Sequence, residues 1–354
     1  MMVRFFQRQG AKAQRSQRVW PILLSLLCLP QLLHAQWFED QQAIMGTPVR
    51  VELWSDDSAR AKAAIAGVMR EMRRIDALMS PFKPESELAR INREAGEKPV
   101  SINKELFQLI QKAQSISRLT HGVFDISFAS VGYLYDYRAG IHPSSSQIKT
   151  RLPAINYRAI TLDDQARSVF FRQPGMCIDL GGIAKGYAVD RAIQLLQQQG
   201  IRHALVSAGG DSQLLGDRRG RPWMIGIRHP RDTPKKTTRE KARTSPVVLP
   251  LSDIAISTSG DYERYFIRDG VRYHHIINTK TGQSAHASQS ATVIGPDATM
   301  TDALSTSVFI LGAQKGIALI NRLPEFDAVV IDAQGQLHYS DGLMPPAAEK
   351  PGSK

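Results

Sequence analysis

No stretch limits the folds open to this chain more than Asp179-Leu180-Gly181-Gly182-Ile183-Ala184-Lys185-Gly186. Two adjacent glycines behind an apolar run read as a strand-to-helix turn, with an acid in front and a lysine behind. Exposed backbone amides beside a lysine suit phosphate. Far along the chain, Thr301-Asp302-Ala303-Leu304-Ser305-Thr306 sets a carboxylate and a hydroxyl four residues apart. On a helix both leave the same face. Such oxygens suit a hard cation such as magnesium. Together the two stretches predict a site for a metal-bound, phosphorylated cofactor.

The ends of the chain ask for a different reading. Residues 1–20 carry Arg4, Arg8, Lys12, Arg15 and Arg18 and no acid, and an apolar run from Pro21 to Leu33 follows. That run is short for a bilayer, and Ala35 supplies a small residue for cleavage. Residues 1–35 are therefore expected to be a signal peptide, with export to the periplasm. The mature chain keeps one cysteine, Cys177, so no internal disulfide is available and stability must come from a core. Flanked by Met176 and Ile178, that cysteine reads as a buried strand residue rather than a nucleophile.

The net charge of +12 is unevenly spread. The leader holds five positives. Residues 218–243 hold ten Lys or Arg against two acids, so the rest is near neutral at 12 − 5 − 8 = −1. Proline-containing and nearly free of aromatic residues, the 218–250 region reads as a solvated basic loop, not a nucleic-acid footprint.

Apolar residues at 3/4 spacing predict helices over 58–79 and 103–119. Further helices are expected from about 183 to 199 and over 299–311. Strands are expected at 49–54, 177–180, 203–206 and 255–257. Hairpins are expected at 158–171, at 266–273 around Asp269-Gly270, and at 326–339. Residues 136–152 read as loop, and 345–354 as a disordered tail. Strands arriving mostly as hairpins with helices between them favour α+β, a mainly antiparallel sheet with packed helices in a single catalytic domain over 36–344.

Several motifs, in order, resemble the FAD:protein FMN transferases, the ApbE-type flavin transferases. They are Met45-Gly46-Thr47, Met79–Leu88, Gly122–Ile126, Asp179–Tyr187, Ser207–Asp211, Thr258–Tyr262, His275–Asn278 and Asp302–Thr306. The resemblance implies a periplasmic or membrane-facing enzyme that takes FAD and magnesium. It would move FMN onto a threonine hydroxyl of an acceptor flavoprotein, such as a membrane redox complex subunit, and release AMP. A peripheral contact with the membrane would fit that setting.

By the same resemblance Asp302, Thr306 and the Gly182 carbonyl are the metal ligands. Met45, Phe82, Val123, Phe124, Asp125, Asp179, Lys185 and Ile276 are the cofactor contacts. His275 is the candidate proton acceptor, Asp302 being an alternative. The chain departs from the family pattern at Asn278-Thr279, Ala285, Ser207 and Phe82. Water in place of the acceptor hydroxyl would make the same site a pyrophosphatase giving FMN and AMP. Without turnover it would be a periplasmic flavin-binding protein.

Overall fold

The computed structural model describes residues 35–231 and 247–344. The leader, the middle of the basic region and the C-terminal tail fall outside them, as do the readings made there.

Alternation of buried and exposed residues builds an eight-stranded sheet, every neighbouring pair antiparallel. Its order is β1 (Gln36–Ile44), β2 (Thr47–Ser55), β6 (Ala204–Ala208), β7 (Asp211–Leu215), β10 (Ala255–Gly260), β13 (Ser288–Gly295), β14 (Asp327–Asp332), β15 (Leu337–Tyr339). Three long helices lie side by side along it in the same sequence. Helix α1 (Ser58–Met79) packs on β1 and β2, α6 (Ala184–Gln198) on β6 and β7, and α7 (Ala298–Ile320) on β10, β13 and β14. The core runs between them, with Val49, Val51, Leu53, Met72, Ile75, Val189 and Val206 essentially buried. The fold is thus α+β, as its hairpins implied.

Local chemistry sets the bounds of these elements. Asp57 caps α1 by accepting from Ala59 N and Arg60 N. Helix α3 (Lys104–Leu119) is capped by Asn103. Helical geometry in α7 breaks at Gly312, whose φ of 78° only glycine adopts readily. That matches the expected end at 311. Asp269-Gly270, both at positive φ, joins β11 (Tyr265–Arg268) to β12 (Val271–His274).

Four expectations are corrected. Strand β1 was not foreseen, because QWFEDQQAI is polar and lies at the sheet edge, where only a half-buried pattern is required. Residues 177–180 run extended but form no strand. Asn92 takes the partner's place, donating to Ile178 O (2.9 Å) and accepting from Ile178 N (2.8 Å), while Ser130 Oγ accepts from Cys177 N. Cys177 is half-buried there, and burial raises its thiol pKa, so it is inert. Within 136–152, Ser144 and Gln147 form a capping box that starts α5 (Ser145–Arg151). Within 218–250, alternating Trp223, Ile225 and Ile227 form β8 (Trp223–Ile227), paired with β9 (Val247–Leu251). Some of the basic charge there is not simply solvated: Arg218 lies over the Trp37 and Trp223 rings and pairs with Glu52.

His274 yields a prediction. It is fully buried, with Nε2 against Ala285 O (2.6 Å) and Nδ1 accepting from Ile276 N (3.3 Å), so it is neutral. Burial first, then nearby His286 and Arg272, push its pKa down from 6.5 to about 4 despite the Ala285 bond. The unfolded chain protonates below 6.5 and the folded chain does not, so stability falls as pH drops between those values. The loss reaches about 3 kcal/mol at full development. We expect the His274 imidazole resonance to keep its neutral shift down to pH 5 while the denaturation midpoint falls.

Candidate active site

Helices α6 and α7 meet at Gly186. A Cβ there would overlap the Ala298 carbonyl oxygen and come within 2.9 Å of Asp302 Cβ. One turn further along α6, Asp190 accepts from Ala298 N and Thr299 N (2.8 Å each), tying down the first turn of α7. Strand β10 grips the same helix with hydroxyls. Ser257 Oγ meets Thr301 Oγ1 at 2.8 Å, and Ser259 Oγ meets Ser305 Oγ at 2.9 Å and Thr306 Oγ1 at 3.2 Å. A strand repeat of two and a helix repeat of four bring both rungs into register.

These anchors place Asp302, 2 % exposed, over the start of α6. Its Oδ2 accepts from Gly186 N (3.0 Å), the amide that would otherwise close the first helical turn on Gly182 O. No donor among the described residues reaches the Gly182 carbonyl. A Cβ at Gly182 would lie 3.5 Å from Thr306 Oγ1 and 3.3 Å from Phe124 Cε2. The three expected metal ligands therefore converge from two distant segments. They are hard oxygen donors, suited to a cation of the magnesium or calcium kind. Among the described residues no group of three or more His, Cys, Asp or Glu could hold a metal, so an ion here would lean on neutral oxygens.

Lys185 is placed differently from expectation. Its Nζ lies 2.7 Å from Asp211 Oδ2 and 3.3 Å from both Asp302 oxygens, and it donates to Gly181 O. Burial would lower its pKa, but the two carboxylates outweigh that and raise it. Asp302 is raised well above the usual carboxylate range, by burial and then by Asp211, against the pull of Lys185. With both acids ionised, two carboxylates facing one lysine would carry one net negative charge, which a bound cation would offset. Asp211 was legible only as the last residue of a motif.

The remaining expected contacts divide. Met45 and Gly46, both at positive φ, form the tight turn between β1 and β2. Phe82 is 76 % exposed, its ring 6.1 Å from that of Tyr133, an open aromatic platform. Asp179 does not cap α6, whose N-cap is Ile183. It stiffens the turn instead, accepting from Gly181 N (2.6 Å) and Tyr133 Oη (3.0 Å), and burial raises its pKa.

Val123, Phe124 and Asp125 are buried beneath the glycine turn. Asp125 spends both oxygens on Ser127 N, Ser127 Oγ and Tyr157 N, so its carboxylate supports the loop rather than a ligand. Ile276 is corrected as well. Its side chain lies in a core cluster with Leu304, Val308 and Phe309, and its amide and carbonyl are taken by His274 and Ala285. His275 stands just past β12 with Nδ1 buried and unpartnered among the described residues. Burial, then the Arg264 charge, push its pKa down to about 3.

The ApbE family model matches residues 45–330. An FAD:protein FMN transferase of Klebsiella pneumoniae is 34 % identical over 293 residues, 81 % of this chain and 87 % of that protein. One of Treponema pallidum is 32 % identical over 322 residues, 86 % of each. Among solved structures, the ApbE protein of Thermotoga maritima superposes with a TM-score of 0.78 at 32 % identity, covering 87 % of this chain and 98 % of that one.

Proposed function

This chain belongs to the ApbE family, and from that premise we propose that it is a transferase moving FMN from FAD to a protein. The finer reading is magnesium-dependent attack by an acceptor threonine hydroxyl on the diphosphate of FAD, releasing AMP. One observation carries it: Asp302 accepts from Gly186 N and Gly182 lies against Thr306, although 120 residues separate Gly182 from Asp302 in the chain.

Asp302, Thr306 and Gly182 would hold magnesium, which when bound draws charge off the phosphoanhydride. The remaining steps belong to side chains. Phe82 offers a flat apolar face to a ring of the dinucleotide. Asp179 braces the glycine turn by accepting from Gly181 N, which would keep Gly182 facing Thr306. His275 is neutral, so Nδ1 can accept the proton of the incoming hydroxyl. A diphosphate beside that ring opposes the burial and Arg264 effects that make it a weak base when the site is empty.

The acceptor would be another exported flavoprotein, reached after a leader over residues 1–35 directs the enzyme to the periplasm. Mass spectrometry of exported proteins from cells with and without this enzyme tests the reading. A gain equal to FMN less one water, the mass of a phosphoester-linked FMN, is expected on a threonine. FMN and AMP formed without any protein adduct would favour the pyrophosphatase instead.

Phe82→Ala should weaken FAD binding roughly fivefold or more, because a stacked ring contributes about 1–3 kcal/mol. An exposed position should leave the melting temperature unchanged. Fluorescence titration against thermal unfolding separates the two effects.

A further inference from the structure

A diphosphate brings two negative charges, and Lys185 has little left to offer them. Its ammonium already faces two carboxylates. Arg264 is the contrasting case. It sits directly before β11, and His275 N donates to Arg264 O (3.2 Å). Because Tyr265 pairs with His274, the next rung couples Arg264 with His275. Side chains directly opposite share a face, so the guanidinium leaves the ribbon on the side of His275 and away from buried His274.

The far end of Arg264 reaches the opposite wall of the site. Its Nη2 lies 3.2 Å from where a Cβ on Gly46 would stand. Its charge is felt at both Asp179, which it lowers, and His275. Yet it pairs with neither carboxylate nor hydroxyl among the described residues, since Asp179 is bonded to Gly181 and Tyr133 instead. An exposed, uncompensated guanidinium thus spans the Met45–Gly46 turn and the candidate proton acceptor. Guanidinium is the side-chain group best matched to paired phosphate oxygens.

We propose that Arg264 is the residue that grips the diphosphate bridge of FAD, the role the sequence suggested for Lys185. The proposal rests on the flavin transferase reading above. In it, Lys185 keeps Asp211 and Asp302 in place while Arg264 meets the anion.

The test compares FAD with riboflavin, which lacks phosphate, by quenching of flavin fluorescence on the purified protein, Arg264→Gln and Arg264→Lys. FAD affinity should fall roughly tenfold or more in Arg264→Gln, as for loss of a charge-assisted bond, and recover in part in Arg264→Lys. Riboflavin affinity should stay the same in all three. Equal weakening of both ligands would mean that Arg264 only shapes the ribbon, and unchanged FAD affinity would mean that it touches no phosphate. Either result overturns the proposal. Should Arg264→Gln fail to fold, Arg264→Lys decides alone, its FAD affinity expected to drop while riboflavin holds. Wild-type protein that binds no FAD sinks the transferase reading itself.

Discussion

Asp302→Asn is expected to lose metal-dependent FMN transfer by about a thousandfold or more while the protein stays folded. The amide keeps an oxygen for Gly186 N, which now receives the carboxylate at 3.0 Å. Lys185 keeps Asp211 at 2.7 Å as its counter-charge, so no buried ion is stranded. What disappears is the one charged ligand among the three candidate metal donors. Lewis-acid stabilisation of several kcal/mol goes with it, and each 1.36 kcal/mol is about tenfold in rate. Transfer assayed across a magnesium titration, beside a thermal melt, checks both halves. Full activity in this variant would place the cation elsewhere.

Gly186→Ala should strike stability hardest. The added methyl overlaps the Ala298 carbonyl oxygen and crowds Asp302 Cβ at 2.9 Å. Neither is the far end of a flexible side chain, so α6 and α7 must separate along their crossing. Overpacking of this kind costs about 1–3 kcal/mol or more. Separation also pulls Asp190 off the first turn of α7 and stretches the Gly186 N bond to Asp302. Lower unfolding midpoint and lower transfer should therefore appear together. A variant with wild-type stability would show that α6 and α7 tolerate a methyl group at their crossing.

How far these features could be read beforehand depended on their range. Helix α1 was legible residue by residue because Ile65, Val68, Met72, Ile75 and Met79 repeat at helical spacing, and Pro81 closes the stretch. The Asp269-Gly270 hairpin was legible from a dipeptide with special backbone freedom, and the expected helix end at 311 falls one residue before the break at Gly312. The expectation of oxygen ligands at Asp302 and Thr306 came from helix geometry and resemblance.

Partnerships across the fold were not legible. Nothing near Lys185 in sequence announces Asp211 or Asp302 as its neighbours, and nothing near Ile178 announces Asn92. Asp125 and Ile276 looked like ligand contacts in their motifs. Burial and complete internal bonding are properties of the folded neighbourhood, and these turned both inward. Arg264 carried no motif of its own. Only the rung shared with His275 and its reach to Gly46 give it a place.

The rims of the sheet bear on how such a chain behaves among its own copies. One rim is β1, whose exposed residues are Gln36, Glu39, Gln41 and Ala43, with Arg50 clasping Glu39 beside it. The other, β15, is three residues long. Ionised groups along one margin and brevity along the other deny a neighbouring backbone any template to zip onto. Edge-to-edge stacking of copies is thereby disfavoured, and any self-association of the finished sheet is left to side-chain surfaces.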